Sequence, residues 1–148
     1  MLRLGYRIET NLAVFNRRVR LFDDSGALVL WMEQRKKYAP PEVVIEGPEG
    51  PVIRVLSRTV LRLEPQYELF LVATGASLGF LRRSGELLSP GYDSAGRIDD
   101  EMVVLDGRTV ARLDRGRVEL TDAGDDLRVL AVTMLRSVPE LWMSDMDD

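Results

Sequence analysis

The chain has 148 residues, of which 45% are apolar, with 24 acidic and 20 basic side chains and a net charge of −4 at pH 7. This length and apolar fraction predict one domain, residues 1–148, with a sizeable core, and exclude a chain that is disordered throughout. Histidine and cysteine are both absent, which excludes disulfides, Cys/His zinc sites, thiol nucleophiles and histidine acid–base chemistry, while the negative net charge argues against a general nucleic-acid binder.

The amino-terminal stretch, MLRLGYRIETNLAVFNRR, has no apolar run of signal-peptide length ahead of its charged residues. We therefore expect a cytoplasmic protein, with peripheral association at a membrane surface left open. No run of apolar residues reaches the length of a transmembrane helix, so we expect no transmembrane segment.

Four pairs of apolar stretches are each joined by a short turn that contains glycine. They cover residues 19–32, 43–56, 69–81 and 103–113. Glycine, as in Ser25-Gly26 and Asp106-Gly107, supplies the positive φ angle that tight hairpin turns need, so we predict four β-hairpins. A phosphate-binding loop would need a strand, a fixed glycine spacing and a following helix, and these turns lack that context.

Residues 53–64 alternate in polarity, as in a strand with one dry and one wet face. One parity carries Ile53, Val55, Thr59, Leu61 and Leu63, and the other carries Arg54, Arg58, Arg62 and Glu64. Pro65, which has no N–H group, predicts a bend before the next strand. Strands therefore dominate up to about residue 120, and many short strands at regular spacing indicate a sandwich or a barrel.

Near the carboxy terminus the chain reads DAGDDLRVLAVTMLRSV, a helical pattern that is apolar on nearly every side. Such a helix either spans a membrane or is fully buried. The uncharged residues 129–135 cover only about 10 Å, against roughly 30 Å of hydrocarbon in a bilayer. We therefore predict a helix near residues 123–137 that is enclosed by a closed antiparallel β-barrel, which would also remove exposed strand edges.

Several segments, in this order, resemble the LURP-one-related proteins and the phospholipid scramblases, which share the tubby carboxy-terminal fold. The matching segments are 19–32, 43–56, 61–70, 72–83, Gly107-Arg-Thr-Val-Ala111 and the helix that begins with Asp125-Asp126-Leu127. The resemblance implies a barrel of about twelve strands around a central apolar helix, and an interaction with phospholipid or phosphoinositide. The segment of residues 113–121 is shorter than the corresponding segment of the family pattern, so we expect a strand there to be truncated or missing.

Two acidic clusters have structural and functional interpretations. Asp122, Asp125 and Asp126 fit the start of the helix, where a carboxylate caps the helix and favours its dipole. A cation site there lacks the ligand spacing of a calcium loop, and the calcium-loop ligands of scramblases are not reproduced, so we predict no metal and no cofactor. The run Asp99-Asp100-Glu101 fits a charged loop, and the alternative is a pair of catalytic carboxylates in a cleft.

Basic clusters are the leading candidates for binding lipid or a partner, because they fall at the ends of predicted strands, where loops gather at a barrel rim. They are Arg17, Arg18 and Arg20; Arg35, Lys36 and Lys37; and Arg82 and Arg83. Four to eight such residues, at about 1 kcal/mol each, hold a protein at an anionic bilayer. The alternative is that they solubilise loop ends and are offset by Asp23, Asp24, Glu33 and Glu86.

The two tryptophans lie in different contexts. Trp31 and Met32 belong to an apolar strand, and we predict that both fill the barrel. Trp142 lies in the acidic carboxy-terminal tail, which either docks on a partner, packs across the barrel mouth or is disordered. For the residues beyond Ser144 we expect disorder.

The sequence thus predicts a non-catalytic binding module for an anionic phospholipid surface or a protein partner. A second hypothesis is an assembly protein that associates through exposed strands, since Leu56 and Val60 share the wet parity with Arg54. An enzyme based on carboxylates is the third, because a barrel filled by its own helix has no free lumen for substrate. Oligomeric state is not predicted.

Overall fold

The computed structural model describes residues 4–13, 16–34, 42–57, 66–121 and 126–137. Within these ranges the chain forms twelve β-strands and one α-helix. They are β1 (Leu4–Ala13), β2 (Asn16–Asp23), β3 (Leu28–Gln34), β4 (Glu42–Gly47), β5 (Gly50–Ser57), β6 (Gln66–Leu71), β7 (Ser77–Arg82), β8 (Glu86–Leu88), β9 (Ser94–Ile98), β10 (Met102–Leu105), β11 (Arg108–Asp114), β12 (Arg117–Leu120) and α1 (Asp126–Arg136).

Every strand pairs antiparallel with its neighbours in the sequence, and β1 pairs with β12 to close the barrel. The closed antiparallel barrel predicted from the sequence is therefore confirmed. Because the strands alternate in direction, odd-numbered strands end at one end of the barrel and even-numbered strands end at the other. We call these the upper end and the lower end.

The barrel interior is built by alternation along the strands. In β5, Ile53 and Val55 are fully buried whereas Arg54 between them is exposed, as expected for a strand with one face on the core. The predicted dry and wet faces are confirmed for this part of the run, and its continuation through residues 58–65 lies outside the described residues. The inward apolar side chains of the other strands join the same core around the helix.

Helix α1 lies within this core. Residues 129–135 are all buried, so the helix is surrounded on every side, as its apolar sequence predicts. The polar member of this run, Thr133, donates its hydroxyl to the Leu130 carbonyl at 2.7 Å, which satisfies the hydroxyl inside the helix. The helix follows β12 from the lower end and finishes at the upper end, where Arg136 lies 3.5 Å from the Arg83 carbonyl.

The four predicted hairpins are all present, as β2–β3, β4–β5, β6–β7 and β10–β11. In the last of them Asp106 and Gly107 both have positive φ angles, 51° and 78°, the geometry of the tight turn that suits twisted strands. The strand expected to be truncated or missing near residues 113–121 is present as β12, which has only four residues. The predicted capping by Asp122, Asp125 and Asp126 concerns side chains outside the described residues.

One feature differs from the expectations. Trp31 does not fill the barrel, because Leu30 and Met32 on either side of it point inward. Its indole N–H lies on the outer wall and donates to a Glu46 carboxylate oxygen at 3.0 Å. β9 precedes Asp99, and the loop between β8 and β9 stacks Tyr92 on Phe80 with ring centroids 4.5 Å apart.

We expect Gly79→Ala to destabilise the protein far more than Gly26→Ala. A Cβ atom at Gly79 would lie 2.0 Å from the Leu88 carbonyl oxygen, whereas at Gly26 it would meet nothing within 4 Å; both have positive φ, 98° and 87°. Strain alone costs about 1–2 kcal/mol at Gly26, and strain with the backbone clash costs roughly 3 kcal/mol or more at Gly79. Equal losses in urea denaturation would contradict the close β7–β8 approach.

Candidate functional site

The basic residues predicted as binding candidates are distributed mainly at the upper end. Arg17 and Arg18 lie at the start of β2, Arg82 is the last residue of β7, and Arg83 begins the turn that follows. β3 ends at Gln34 and β4 begins at Glu42, both at this end. Arg35, Lys36 and Lys37 belong to the segment between them, which lies outside the described residues, as does the side chain of Arg17.

Arg20 lies on the side wall and not at a strand end. It is the fifth residue of β2 and stands opposite Trp31 in the β2–β3 register, while Arg18 stands opposite Glu33. Together they line a shallow groove of about 210 Å³. Among the described residues, the buried Arg18 Nε atom has no hydrogen-bond partner.

The carboxylates expected to offset the basic candidates are divided between the two ends. Arg82 and Glu86 form an ion pair at 2.8 Å, and Glu33 lies across from Arg18. Asp23 and Asp24, in contrast, lie at the far end of β2 in the lower turn. Two of the four expected counter-charges are therefore remote from the basic residues.

Both of these aspartates have structural roles at the lower end. The Ser25 hydroxyl donates to the Asp23 carboxylate at 2.5 Å and the Ala27 N–H donates to it at 3.0 Å, and these bonds hold the pKa of Asp23 below its ordinary value. Asp24 accepts from the Arg117 guanidinium at 3.1 Å. Both carboxylates are thus engaged within the barrel.

The described turns of the lower end are predominantly acidic. They carry Asp23, Asp24, Glu49, Asp93 and Asp106. Arg108 begins β11 beside this end. The β2–β8 side of the upper end therefore carries the basic candidates, whereas the described turns of the lower end are acidic. On its other side the upper end carries Asp99, Asp100 and Glu101 in the β9–β10 turn.

A cleft of about 380 Å³ opens at the upper end. It lies between β1 and the β11–β12 turn, because β1 pairs with β12 only from Leu4 to Arg7 and continues above that turn. Its walls carry apolar, acidic and basic groups. The lining includes Ile8, Thr10, Asp99, Asp100, Leu113, Arg115, Val118, Thr133, Arg136 and Ser137. Sequence patterns give no signal for this cleft, since it results from the stagger of the closing strands.

Asp99, one of the proposed catalytic carboxylates, lies in the cleft and acts as a turn residue. Its carboxylate accepts from the Glu101 N–H at 2.8 Å and the Met102 N–H at 3.0 Å. These backbone bonds hold the pKa of Asp99 below its ordinary value, whereas a general acid needs a raised pKa. Its neighbour Asp100 is 94% exposed and lies 3.6 Å from the Arg136 guanidinium. The turn interpretation therefore fits Asp99 better.

Other proposed sites have simpler local explanations where the structure describes them. Arg54, on the stripe considered for self-association, forms an ion pair with Glu42 at 2.7 Å. The hydrogen bond from Arg54 lowers the pKa of Glu42. Leu56 stands between Glu42 and Glu68 in the register, so carboxylates flank it. Across the described ranges, no three acidic residues are grouped as a metal site would require.

The comparisons identify the fold class, a closed β-barrel with a helix inside. No protein-family model matches the chain, and no curated protein matches it. The chain is similar in structure to a protein from Arabidopsis thaliana solved by X-ray crystallography, with 12% sequence identity and a TM-score of 0.70 over 93% of this chain and 91% of that one. Among the described residues no helix has the length and apolarity to cross a bilayer.

We expect acid to destabilise the β9–β10 turn through protonation of Asp99. Because its pKa is lowered in the folded state, the stability it contributes is present above the unfolded pKa, about 4, and is lost as pH falls through the lower folded pKa. Asp99→Asn, which keeps an acceptor oxygen, should flatten the acid limb of the stability curve in thermal unfolding. Asp100→Asn is the control and should leave the curve unchanged; equal effects of both would contradict the turn role.

Proposed function

We propose that this protein is a non-catalytic, cytoplasmic binding module of the LURP-one-related and scramblase type, which places the upper end of its barrel against anionic phospholipid surfaces. The observation that carries the proposal is the difference in charge between the β2–β8 side of the upper end, where the basic candidates lie, and the acidic described turns of the lower end. An anionic surface attracts arginine and lysine and repels aspartate and glutamate, so the charge difference favours one orientation.

The candidate contact set is the group of basic residues predicted from the sequence. It comprises Arg17, Arg18, Arg20, Arg35, Lys36, Lys37, Arg82 and Arg83. At about 1 kcal/mol for each residue near the surface, a set of this size is sufficient for reversible attachment.

Electrostatic attachment is a better mechanism here than insertion of apolar side chains. The large apolar side chains that are exposed among the described residues, Leu28, Val72 and Tyr92, belong to the lower end of the barrel. Val72 and Tyr92 accompany the acidic turns, whereas Leu28 lines the wall groove together with Arg18 and Arg20. Binding that depends on charge is weakened by salt and needs anionic lipid.

We expect co-sedimentation with vesicles of phosphatidylserine and phosphatidylcholine at low salt, and little with phosphatidylcholine alone. Changing Arg35, Lys36 and Lys37 to serine should weaken binding roughly a hundredfold, since three contacts of about 1 kcal/mol are removed. The matched control changes Arg97, Arg108 and Arg112 to serine, because these exposed residues of β9 and β11 lie outside the proposed contact set and their loss alters the net charge equally.

The two triple variants distinguish a local contact from a general charge effect. Equal weakening in both would show that net charge alone governs binding and would contradict the proposed orientation. Absence of binding to anionic vesicles at low salt would rule out the lipid proposal and favour a protein partner. Concentration-dependent association without lipid, measured by light scattering, would favour the assembly alternative.

A further inference from the structure

The upper half of β1 has one open edge. β1 pairs with β2 along Tyr6–Ala13 but with β12 only along Leu4–Arg7, and the Ile8 N–H then reaches the Gly116 carbonyl in the β11–β12 turn. In an antiparallel strand the backbone groups of alternate residues point to opposite sides. The N–H of Thr10, two residues after Ile8, therefore points to the same side, where no described strand lies.

The cleft lies directly beside this open edge. Thr10 and Ile8 form one wall, and Leu113 and Val118 contribute apolar surface to the opposite side. Thr133, Arg136 and Ser137 bring the end of α1 into the same cleft. An unpaired strand edge next to an apolar surface is a site at which a further extended segment adds to a sheet.

The chain itself supplies such a segment at this place. Ser137 lines the cleft and is the last described residue, and eleven residues, 138–148, follow it with the sequence VPELWMSDMDD. Leu141, Trp142 and Met143 make its centre apolar. Seven extended residues span about 23 Å, whereas the open edge from Glu9 to Ala13 spans about 16 Å, so residues 138–144 are long enough to cover it.

We propose that residues 138–144 dock in this cleft as an additional strand on the open edge of β1, with Trp142 covering the apolar surface formed by Ile8 and Leu113. This inference concerns the side of the barrel between β1 and β12, and it does not depend on lipid binding at the basic residues.

Amide hydrogen exchange measured residue by residue, without lipid, tests the proposal. In the full chain the Thr10 amide should exchange about tenfold or more slowly than in a chain that ends at Ser137, because the added strand supplies its acceptor. The amides of Glu9 and Asn11 face β2 and should be equally protected in both chains. This alternation separates docking from general destabilisation.

Substitutions in the full chain provide a second test, which remains valid if the truncated protein fails to fold. Leu141→Ser with Trp142→Ser should release the Thr10 amide as truncation does, and Asp147→Asn with Asp148→Asn, beyond the docked residues, should not. In a Trp31→Phe background Trp142 is the remaining tryptophan, and its fluorescence should resist quenching by acrylamide.

Three results would overturn the proposal. Fast exchange at Thr10 in the full chain would show that the edge is open. Slow exchange that survives both truncation and the serine variant would show that another group covers it. Protection that appears only with rising protein concentration would assign the edge to a second copy of the chain.

Discussion

The structure depends on the burial of a helix that has no polar face. Residues 129–135 of α1 are buried on every side. Removing apolar surface from water contributes roughly 25 cal/mol per Å² to stability, so a helix that is covered on only part of its surface loses much of this contribution. A single sheet packed against one face would leave the others in water. The sheet must therefore close around it, and closure in turn favours apolar residues at the inward positions of the strands, as at Ile53 and Val55 of β5. Thr133 fits this interior because its hydroxyl finds an acceptor within the helix itself.

Much of this architecture could be predicted from the sequence, because its signals are local. The turns at Gly26 and Gly107 need positive φ regardless of the surrounding structure. The apolar helix must likewise be buried, whatever elements surround it. β9 could not be predicted in the same way. Its sequence, SAGRI, has little intrinsic preference for a strand, and it is held by pairing to β8 and β10. Gly96 fits there because a Cβ atom would meet the Val104 carbonyl oxygen of β10, a requirement that appears only once the strands are paired.

The candidate site shows the same division between local and non-local information. The ends of strands were visible in the sequence, so the placement of Arg18, Arg82 and Arg83 near one rim followed from strand boundaries. Composition did not determine which side chains of each strand point inward. The position of Trp31 beside Arg20 on the outer wall was therefore not predicted. The cleft beside Thr10 depends on the stagger between β1 and β12, which is a property of register across the whole barrel. The Arg117–Asp24 pair joins residues 93 positions apart and reflects the same stagger.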